Sequence, residues 1–375
     1  MTAKELTKHI ENWAPKEAAW QKDNPGLQAG SLGSEVVNIF LCLELSEKAL
    51  EEAVKKKCNF IFTHHPLIFQ PLKKIDTQND KTSRLLEKLL THKITLYSAH
   101  TNLDFTKNGV SFHLAKTLGL KNIRFLENAE SNQFKLVVFV PETSLRDVSD
   151  AIFASGGGVI GEYNSCSYRL KGEGTFQGSR ETHPSLGSAG QFEQVSEVRL
   201  EVIVDKWNLK SAISAMLKVH PYEEPAFDVY PLNNKNVNYG FGAIGELEES
   251  MGEEEFLGHV LKCLKTKNLR YTTGSGAKVK KVALCGGSGS DLIPAAISSG
   301  AEAFVTADIK YHTFQDAEGK ILLVDAGHYE TEFPVLEEVK RRFESLIEEK
   351  GAGIKVYIYS GTTNPVNFFQ NKGDK

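Results

Sequence analysis

The chain has 375 residues, with 44 Lys and Arg against 48 Asp and Glu and a formal net charge of −4 at pH 7. This length predicts two or three domains, and the charge argues against a protein that binds nucleic acid through a general basic field. We expect neither a signal peptide nor a membrane span, because the N-terminus lacks an apolar region and no apolar run reaches roughly 18 residues. The 5 cysteines are scattered without a CxxC pair, which is typical of a reduced, cytosolic protein.

Up to about residue 127 the sequence alternates apolar strands with amphipathic helices. Strands are predicted at 36–44, 59–63 and 94–98, and helices at 2–13, 46–57, 82–91 and 109–118. Thr2 and Ser46 are suitable N-caps for the first two helices. Alternation of this kind predicts a mostly parallel sheet that is covered by helices on both faces.

Two of these strands are followed by side chains that can bind metals. The ligand-type residues after the second and third strands are His64 and His65, then His100 and Asp104. Neighbouring side chains on a strand point to opposite faces, so two adjacent histidines converge only where the strand has ended. Pro66 favours such an end, and ligands bind at the carboxyl ends of parallel strands. An isolated histidine pair is also typical of an ordinary turn, so the metal interpretation needs support from elsewhere in the chain.

The middle of the chain has a different order of elements. The predicted strands are 134–140, 198–204 and 226–232, the helices are 145–154 and 208–219, and the Gly- and Ser-rich 164–195 is a hairpin or long loop. This strand-helix-strand-strand-helix-strand order resembles a ferredoxin-like α/β sandwich. His220, Tyr222, Glu223 and Glu224 are flanked by prolines, which favours a rigid turn with an acidic rim and leaves a regulatory site open.

From residue 239 onward the first pattern returns. Strands are predicted at 280–285, 303–306, 321–324 and 354–358, with helices that end near residues 299 and 350. The turn CGGSGSD at 285–291 lacks the Lys-Ser/Thr of a P-loop, and Asp291 would repel an anion at the helix start. We therefore interpret it as a tight strand-to-helix turn. The two outer parts of the chain predict one α/β unit into which the middle part is inserted.

A third strand end delivers His328 and Glu332, whose spacing puts both side chains on one face of a helix. Imidazole and carboxylate ligands without thiolate suit Zn, Mn, Fe, Co or Ni. Three such strand ends offer more ligands than the roughly three of one catalytic zinc, and they suit two metals that share a bridging carboxylate. The sequence therefore predicts a dinuclear metal centre, in which Asp104 or Glu332 would be the bridge.

Five motifs carry a resemblance to a known family: DNPGLQAG at 23–30, THHP at 63–66, HTNLD at 100–104, TADIKYH at 306–312 and GHYETE at 327–332. With these motifs in family order, the chain resembles the Nif-three-like family, whose members are described as dinuclear metal centre proteins or GTP cyclohydrolase I type 2 homologues. The resemblance implies an α/β fold in which a Nif-three-like core, with mostly parallel sheets and helices on both faces, comprises 1–127 and 237–375. A ferredoxin-like insert, similar to PII and CutA, would occupy 128–236.

The resemblance also implies a ligand set and an assembly. Two divalent metal ions per subunit would be held by His64, His65, Asp104, His328 and Glu332. The family pattern implies a toroidal homohexamer whose metal sites face an internal cavity. We interpret His100 as an outer-shell residue that orients Asp104 or holds the turn, although its position also allows it to be a ligand.

Lys310, Tyr311 and His312 follow the strand 303–306, beside the same expected cleft. They are candidate catalytic residues that could bind an anionic substrate or shuttle protons, and a capped turn is the alternative. Asp308 before them is suitable as a helix N-cap.

Two functions remain open at this stage. The first is a cytoplasmic, metal-dependent hydrolase acting on a nucleotide-like or heterocyclic small molecule, with two cations that lower the pKa of a bridging water. The ring-opening chemistry of GTP cyclohydrolases is supported by analogy alone. The second is a metal-binding scaffold or sensor whose PII-like insert binds an effector or partner, without catalysis. A ring that binds nucleic acid would need a basic cavity, which the net charge does not predict.

Overall fold

The computed structural model describes residues 1–369. The chain divides into two compact units: the first combines Met1–Glu127 with the chain from Tyr239 onward, and the second is Asn128–Asn238. None of the helices in residues 1–369 combines the length and the apolar character that a membrane crossing requires.

The elements follow one another in this order. The helices are α1 Ala3–Trp13, α2 Glu47–Lys55, α3 Lys81–Thr91, α4 Thr101–Asp104, α5 Val110–Thr117, α6 Leu145–Ala154, α7 Lys206–Val219, α8 Glu253–Leu264, α9 Ile293–Ser298, α10 Tyr311–Ala317, α11 His328–Glu332 and α12 Val335–Glu349. The strands are β1 Gly26–Ala29, β2 Asn38–Cys42, β3 Phe60–Thr63, β4 Thr95–Ser98, β5 Lys121–Arg124, β6 Glu127–Asn128, β7 Gln133–Pro141, β8 Tyr168–Gln177, β9 Phe192–Asp205, β10 Phe227–Pro231, β11 Gly240–Phe241, β12 Ala243–Met251, β13 Arg270–Thr272, β14 Val279–Ser288, β15 Ala303–Ala307, β16 Leu322–Asp325 and β17 Lys355–Ile358.

The first unit contains a five-stranded sheet with the order β1-β4-β3-β2-β17. The strands from β4 to β17 are parallel to their neighbours, and β1 is antiparallel at the edge. Every residue of β3 and β4 is buried. Phe60 and Phe62 of β3 pack against Phe343 of α12 with ring centroids 6.1 Å apart. The mostly parallel sheet predicted for this part of the chain is confirmed, and β3 and β4 end side by side at one edge.

A six-stranded sheet in the same unit has the order β13-β16-β15-β14-β12-β5. Strands β14, β15 and β16 are parallel, whereas β5, β12 and β13 are antiparallel to their neighbours, so this sheet is mixed. No element was predicted between 239 and 279, where the structure has β11, β12, α8 and β13. The sequence does carry a signal for the start of α8. Its first turn contains Glu253, Glu254 and Glu255, and acidic residues stabilise a helix N-terminus.

The second unit has the predicted ferredoxin-like fold. Its elements run β7-α6-β8-β9-α7-β10, and its antiparallel sheet has the order β10-β7-β9-β8. The segment 164–195 proves to be a long hairpin, because β8 pairs with β9 over its whole length. One face of the sheet packs against α6 and α7 through buried side chains that include Leu136, Val138, Leu200, Val202 and Met216.

Candidate metal centre

Four histidine rings meet where strands of the first unit end. His64 and His65 follow β3, and His100 follows the neighbouring strand β4. His328 begins α11, directly after the turn that leaves β16. The ring centroids of His64 and His65 lie 4.8 Å apart. The ring centroid of His65 lies 5.2 Å from that of His100 and 5.4 Å from that of His328. The fold therefore brings together three strand ends that are far apart in the sequence.

Glu332 lies at the centre of this group. Its Oε1 is 2.9 Å from Nε2 of His328 and 3.6 Å from Nε2 of His64. Its Oε2 is 3.1 Å from Nε2 of His65. The side chain of Glu332 is only 4% exposed and that of His64 is fully buried. One carboxylate thus faces three imidazoles inside the protein, as a carboxylate that bridges two metals would need to do.

Each of the four rings is held from behind by an acceptor. Nδ1 of His64 donates to the carbonyl oxygen of Ala99 at 2.9 Å. The carboxylates that accept from Nδ1 of His65, His100 and His328 are Glu44 at 2.8 Å, Asp23 at 2.8 Å and Asp308 at 2.6 Å. A proton fixed on Nδ1 leaves the lone pair of Nε2 free for a metal, which is the usual arrangement around metal-binding histidines.

Among residues 1–369, two sets of three ligand atoms are close enough to hold a cation. The first set comes from His64, His65 and His100, and the second from His65, His328 and Glu332. Within each set all the atoms lie within 4.8 Å of one another. Asp104 belongs to neither set, but its Oδ1 is 3.5 Å from Nε2 of His64. Two overlapping sets are what a pair of metals with shared ligands would need.

The buried polar atoms of this cluster show that it fits metal ions. Within residues 1–369, Nε2 of His64, Oδ1 of Asp104 and Oε2 of Glu332 are buried without a hydrogen-bond partner. The approach of His65 to Oε2 of Glu332 therefore lacks hydrogen-bond geometry. Buried acceptors without partners are costly, and imidazole and carboxylate donors are ligands that divalent transition metals accept.

The protonation equilibria of the cluster are strongly perturbed. Burial raises the pKa of Glu332, but the charge of His64 and a hydrogen bond with His328 outweigh it and hold this pKa well below its usual range. Burial, together with repulsion from Glu332, raises the pKa of Asp104 well above its usual range. Burial lowers the pKa of His64. Two carboxylates enclosed this closely need positive charge beside them, which divalent cations would supply.

His100 makes a contact with Asp23 that the sequence did not predict. Its ring donates to Asp23 and lies with the other imidazoles, whereas the prediction was that it orients Asp104 or holds the turn, with a ligand role also allowed. Asp23 also accepts a hydrogen bond from the backbone N–H of Thr101 at 3.0 Å. His100 is therefore as well placed for a metal as the other three rings, and the ligand role stays open beside the outer-shell role.

In the segment after β15, Asp308 contacts the histidine cluster, while Lys310, Tyr311 and His312 remain candidate catalytic residues. Lys310 precedes α10, Tyr311 is 71% exposed, and Nδ1 of His312 lies 3.0 Å from Gln315 on the same helix. The assignment of Asp308 as an N-cap was wrong, because Lys310 occupies the N-cap of α10. Asp308 instead accepts from Nδ1 of His328. A long-range contact of this kind cannot be seen from the local sequence.

The glycine-rich turn at the end of β14 passes directly beside the cluster. Gly287 has a φ of +63°, and a Cβ on it would lie 2.4 Å from Oε1 of Glu332 and 3.2 Å from Nε2 of His328. Its N–H donates to Oγ1 of Thr331 at 3.0 Å. The lack of a side chain at this position therefore leaves room for the central carboxylate.

We expect Gly287→Ala to lower metal affinity by about 10- to 100-fold, the range typical of changes next to metal ligands. The added methyl group would displace the carboxylate of Glu332 from its position. The measurement is competition with a chromogenic chelator. The matched control is Gly300→Ala, which has a similar φ of +72° but meets only Lys281 Nζ at 3.9 Å. Equal affinities in the two variants would contradict the prediction, since both carry the same backbone strain.

Comparisons with known proteins agree with this architecture. The family model of Duf34/NIF3 (NGG1p interacting factor 3) matches residues 1–365. The chain is 38% identical to the GTP cyclohydrolase 1 type 2 homolog of Halalkalibacterium halodurans over 362 residues, covering 96% of each chain. It is 36% identical to the protein of the same description from Bacillus subtilis, over 98% of this chain and 99% of the relative.

Solved structures show the same fold over the whole chain. A Bacillus cereus protein related to NIF3 superposes with a TM-score of 0.85 at 36% identity, covering 98% of this chain and 99% of that one. A Staphylococcus aureus protein superposes with a TM-score of 0.77 at 28% identity, with the same coverage of 98% and 99%. The comparison therefore covers nearly the whole chain.

Proposed function

The chain belongs to the Duf34/NIF3 family, and from this premise we propose that it binds two divalent metals and is a metal-dependent hydrolase. The observation that supports this proposal is the position of Glu332, whose two carboxylate oxygens face Nε2 atoms of three histidines in a buried site. The proposed ligands are His64, His65, Asp104, His328 and Glu332. Zn, Fe, Mn, Co and Ni all suit such donors.

The chain's own residues would prepare the site in three ways. Glu44, Asp23, Asp308 and the carbonyl of Ala99 fix the rings so that each Nε2 faces inward. The complete burial of His64 excludes bulk water from one side, which strengthens the electrostatic interactions in the site. When bound, the two cations would supply Lewis acidity and lower the pKa of a water molecule to near neutrality.

The substrate class is inferred from the relatives. The relatives in Halalkalibacterium and Bacillus subtilis are described as GTP cyclohydrolase 1 type 2 homologs, and we propose a nucleotide-like or heterocyclic small molecule for this chain. The bond attacked would be a polarised C–N or P–O bond. We also propose that the protein is cytoplasmic and assembles as a toroidal homohexamer, for which sedimentation velocity is the direct measurement.

Elemental analysis and a hydrolase screen test the proposal together. We expect about two metals per chain, and turnover of GTP or a related heterocycle that is lost on chelation and restored by metal. The chelated protein should remain folded by circular dichroism, so that lost turnover is not lost structure. Less than about half a metal per chain after reloading would contradict the dinuclear centre.

The scaffold or sensor function is favoured by one observation in the second unit. A cavity of about 650 Å³ lies on this unit and is lined by Phe139, Leu170, Phe176, Glu197 and Tyr222 among others. Its mixed aromatic and carboxylate lining suits a small effector. Two bound metals that raise the melting temperature, without turnover of any substrate in the screen, would favour this function over the hydrolase.

A further inference from the structure

The chain after β17 runs back across the first unit and is anchored at three carboxylates. We call residues 360–369 the C-terminal segment. Oγ of Ser360 donates at 2.7 Å to Glu52, which lies on α2. Oγ1 of Thr363 donates to Oε2 of Glu44. The side-chain amide of Asn364 donates to Oε1 of Glu330 at 2.9 Å.

The anchor at Thr363 is connected to the cluster through Glu44, which contacts both Thr363 and His65. Oε1 of Glu44 accepts from Nδ1 of His65 at 2.8 Å, while Oε2 accepts from Thr363. Nε2 of His65 then lies 3.1 Å from Glu332. The terminal torsion of a glutamate is soft, and Glu44 is 39% exposed, so His65 alone would leave its carboxylate free to turn. The hydroxyl of Thr363 occupies the second oxygen and fixes the plane of the carboxylate.

The anchor at Asn364 also lies near the cluster, because Asn364 and His328 line the same cavity. Glu330 lies on α11 between His328 and Glu332. Asn364, Val366 and Phe368 line a cavity of about 230 Å³ that His328 also lines. The C-terminal segment is thus one wall of the space in which a molecule next to His328 would lie.

We infer that Thr363 is a positioning residue of the metal centre, which acts through Glu44 on His65, and that the C-terminal segment forms one wall of the substrate pocket. This inference rests on the proposed function, which supplies the metals and the substrate. Metal binding and docking of the segment should therefore favour one another, because a coupling between two sites is reciprocal.

Zinc affinity of purified variants tests the positioning role. We expect Thr363→Val, which keeps the shape and removes the hydroxyl, to weaken zinc binding about 3- to 10-fold, less than the 10- to 100-fold of a residue that touches a ligand directly. Thr363→Ser should restore binding to within about twofold of the unaltered chain, since the hydroxyl is what positions Glu44. Ser360→Ala is the matched control, because it removes a hydroxyl anchor of the same segment at a carboxylate outside the cluster.

Protection of the segment from chymotrypsin gives a readout independent of catalysis. Phe368 is 56% exposed and offers a cleavage site inside the segment. We expect added zinc to slow cleavage after Phe368 at least about threefold in the unaltered chain and in Ser360→Ala, and not in Thr363→Val. Zinc binding in Thr363→Val equal to that of Ser360→Ala, or cleavage that zinc does not slow, would overturn the inference.

The outcome separates this inference from the proposed function. A chain that binds zinc and shows the Thr363 effects, but hydrolyses nothing in the screen, keeps the positioning role and loses the hydrolase. A chain that binds two zinc ions and hydrolyses a substrate, with unchanged affinity in Thr363→Val, keeps the hydrolase and loses the positioning role.

Discussion

Replacing Glu332 with glutamine should remove both metals. We expect Glu332→Gln to reduce the metal content from about two to below about half an ion per chain, a larger effect than the 10- to 100-fold typical of outer-shell changes. The physical reason is that three imidazoles share this one carboxylate, with the contacting atoms 2.9, 3.1 and 3.6 Å apart. An amide has one acceptor oxygen in place of two, and its N–H₂ group would face an imidazole nitrogen.

Elemental analysis after dialysis against the metal measures this effect, and circular dichroism shows whether the variant is folded. Glu337→Gln is the control, because Glu337 lies exposed on α12 a short distance along the chain. Retention of one metal in Glu332→Gln would show that the carboxylate serves a single site. Retention of both would contradict the assignment of Glu332 as a ligand.

Replacing His64 with alanine has the second largest expected effect. We expect His64→Ala to lower the affinity for at least one metal by more than about 100-fold, because a direct ligand should matter more than the outer-shell range. His64 is fully buried, and its Nε2 has no hydrogen-bond partner among the described residues. Its Nδ1 is already committed to Ala99. In the proposed centre, a metal would be the partner of this free nitrogen.

The first unit offers a closely matched control for this variant. His113 is also a largely buried histidine, and its Nε2 lies 3.6 Å from a carboxylate oxygen of Glu338, the same separation as between His64 and Glu332. Isothermal titration with zinc should show unchanged binding in His113→Ala. Equal losses in the two variants would show that general destabilisation, and not ligand removal, explains the result.

Much of this architecture follows from local sequence patterns. Apolar runs mark β3, β4 and β16, and each is followed within a few residues by His64, His100 or His328. Parallel strands deliver their carboxyl ends to one edge of a sheet, which accounts for the neighbouring ends of β3 and β4. Strand β16 belongs to the six-stranded sheet, so its end meets theirs only through the packing of the first unit. The ferredoxin-like order of the second unit is visible in the same way, because each element has its own hydrophobic period.

Other features depend on contacts between distant parts of the chain. The carboxylates behind three of the rings are Asp23, Glu44 and Asp308, which no local period connects with the histidines. The same holds for Gly287, whose missing side chain matters only because Glu332 occupies the adjacent space.

The difference between the features that local sequence predicts and those that it does not has one physical reason. Hydrophobic periodicity and turn chemistry act over a few neighbouring residues, so they specify elements and the side chains that follow them. The direction of each imidazole depends on hydrogen bonds across about 20 to 80 positions of sequence, between His328 and Asp308 and between His100 and Asp23. Residue types therefore predicted a metal centre, while packing of the complete first unit decided which atoms face it.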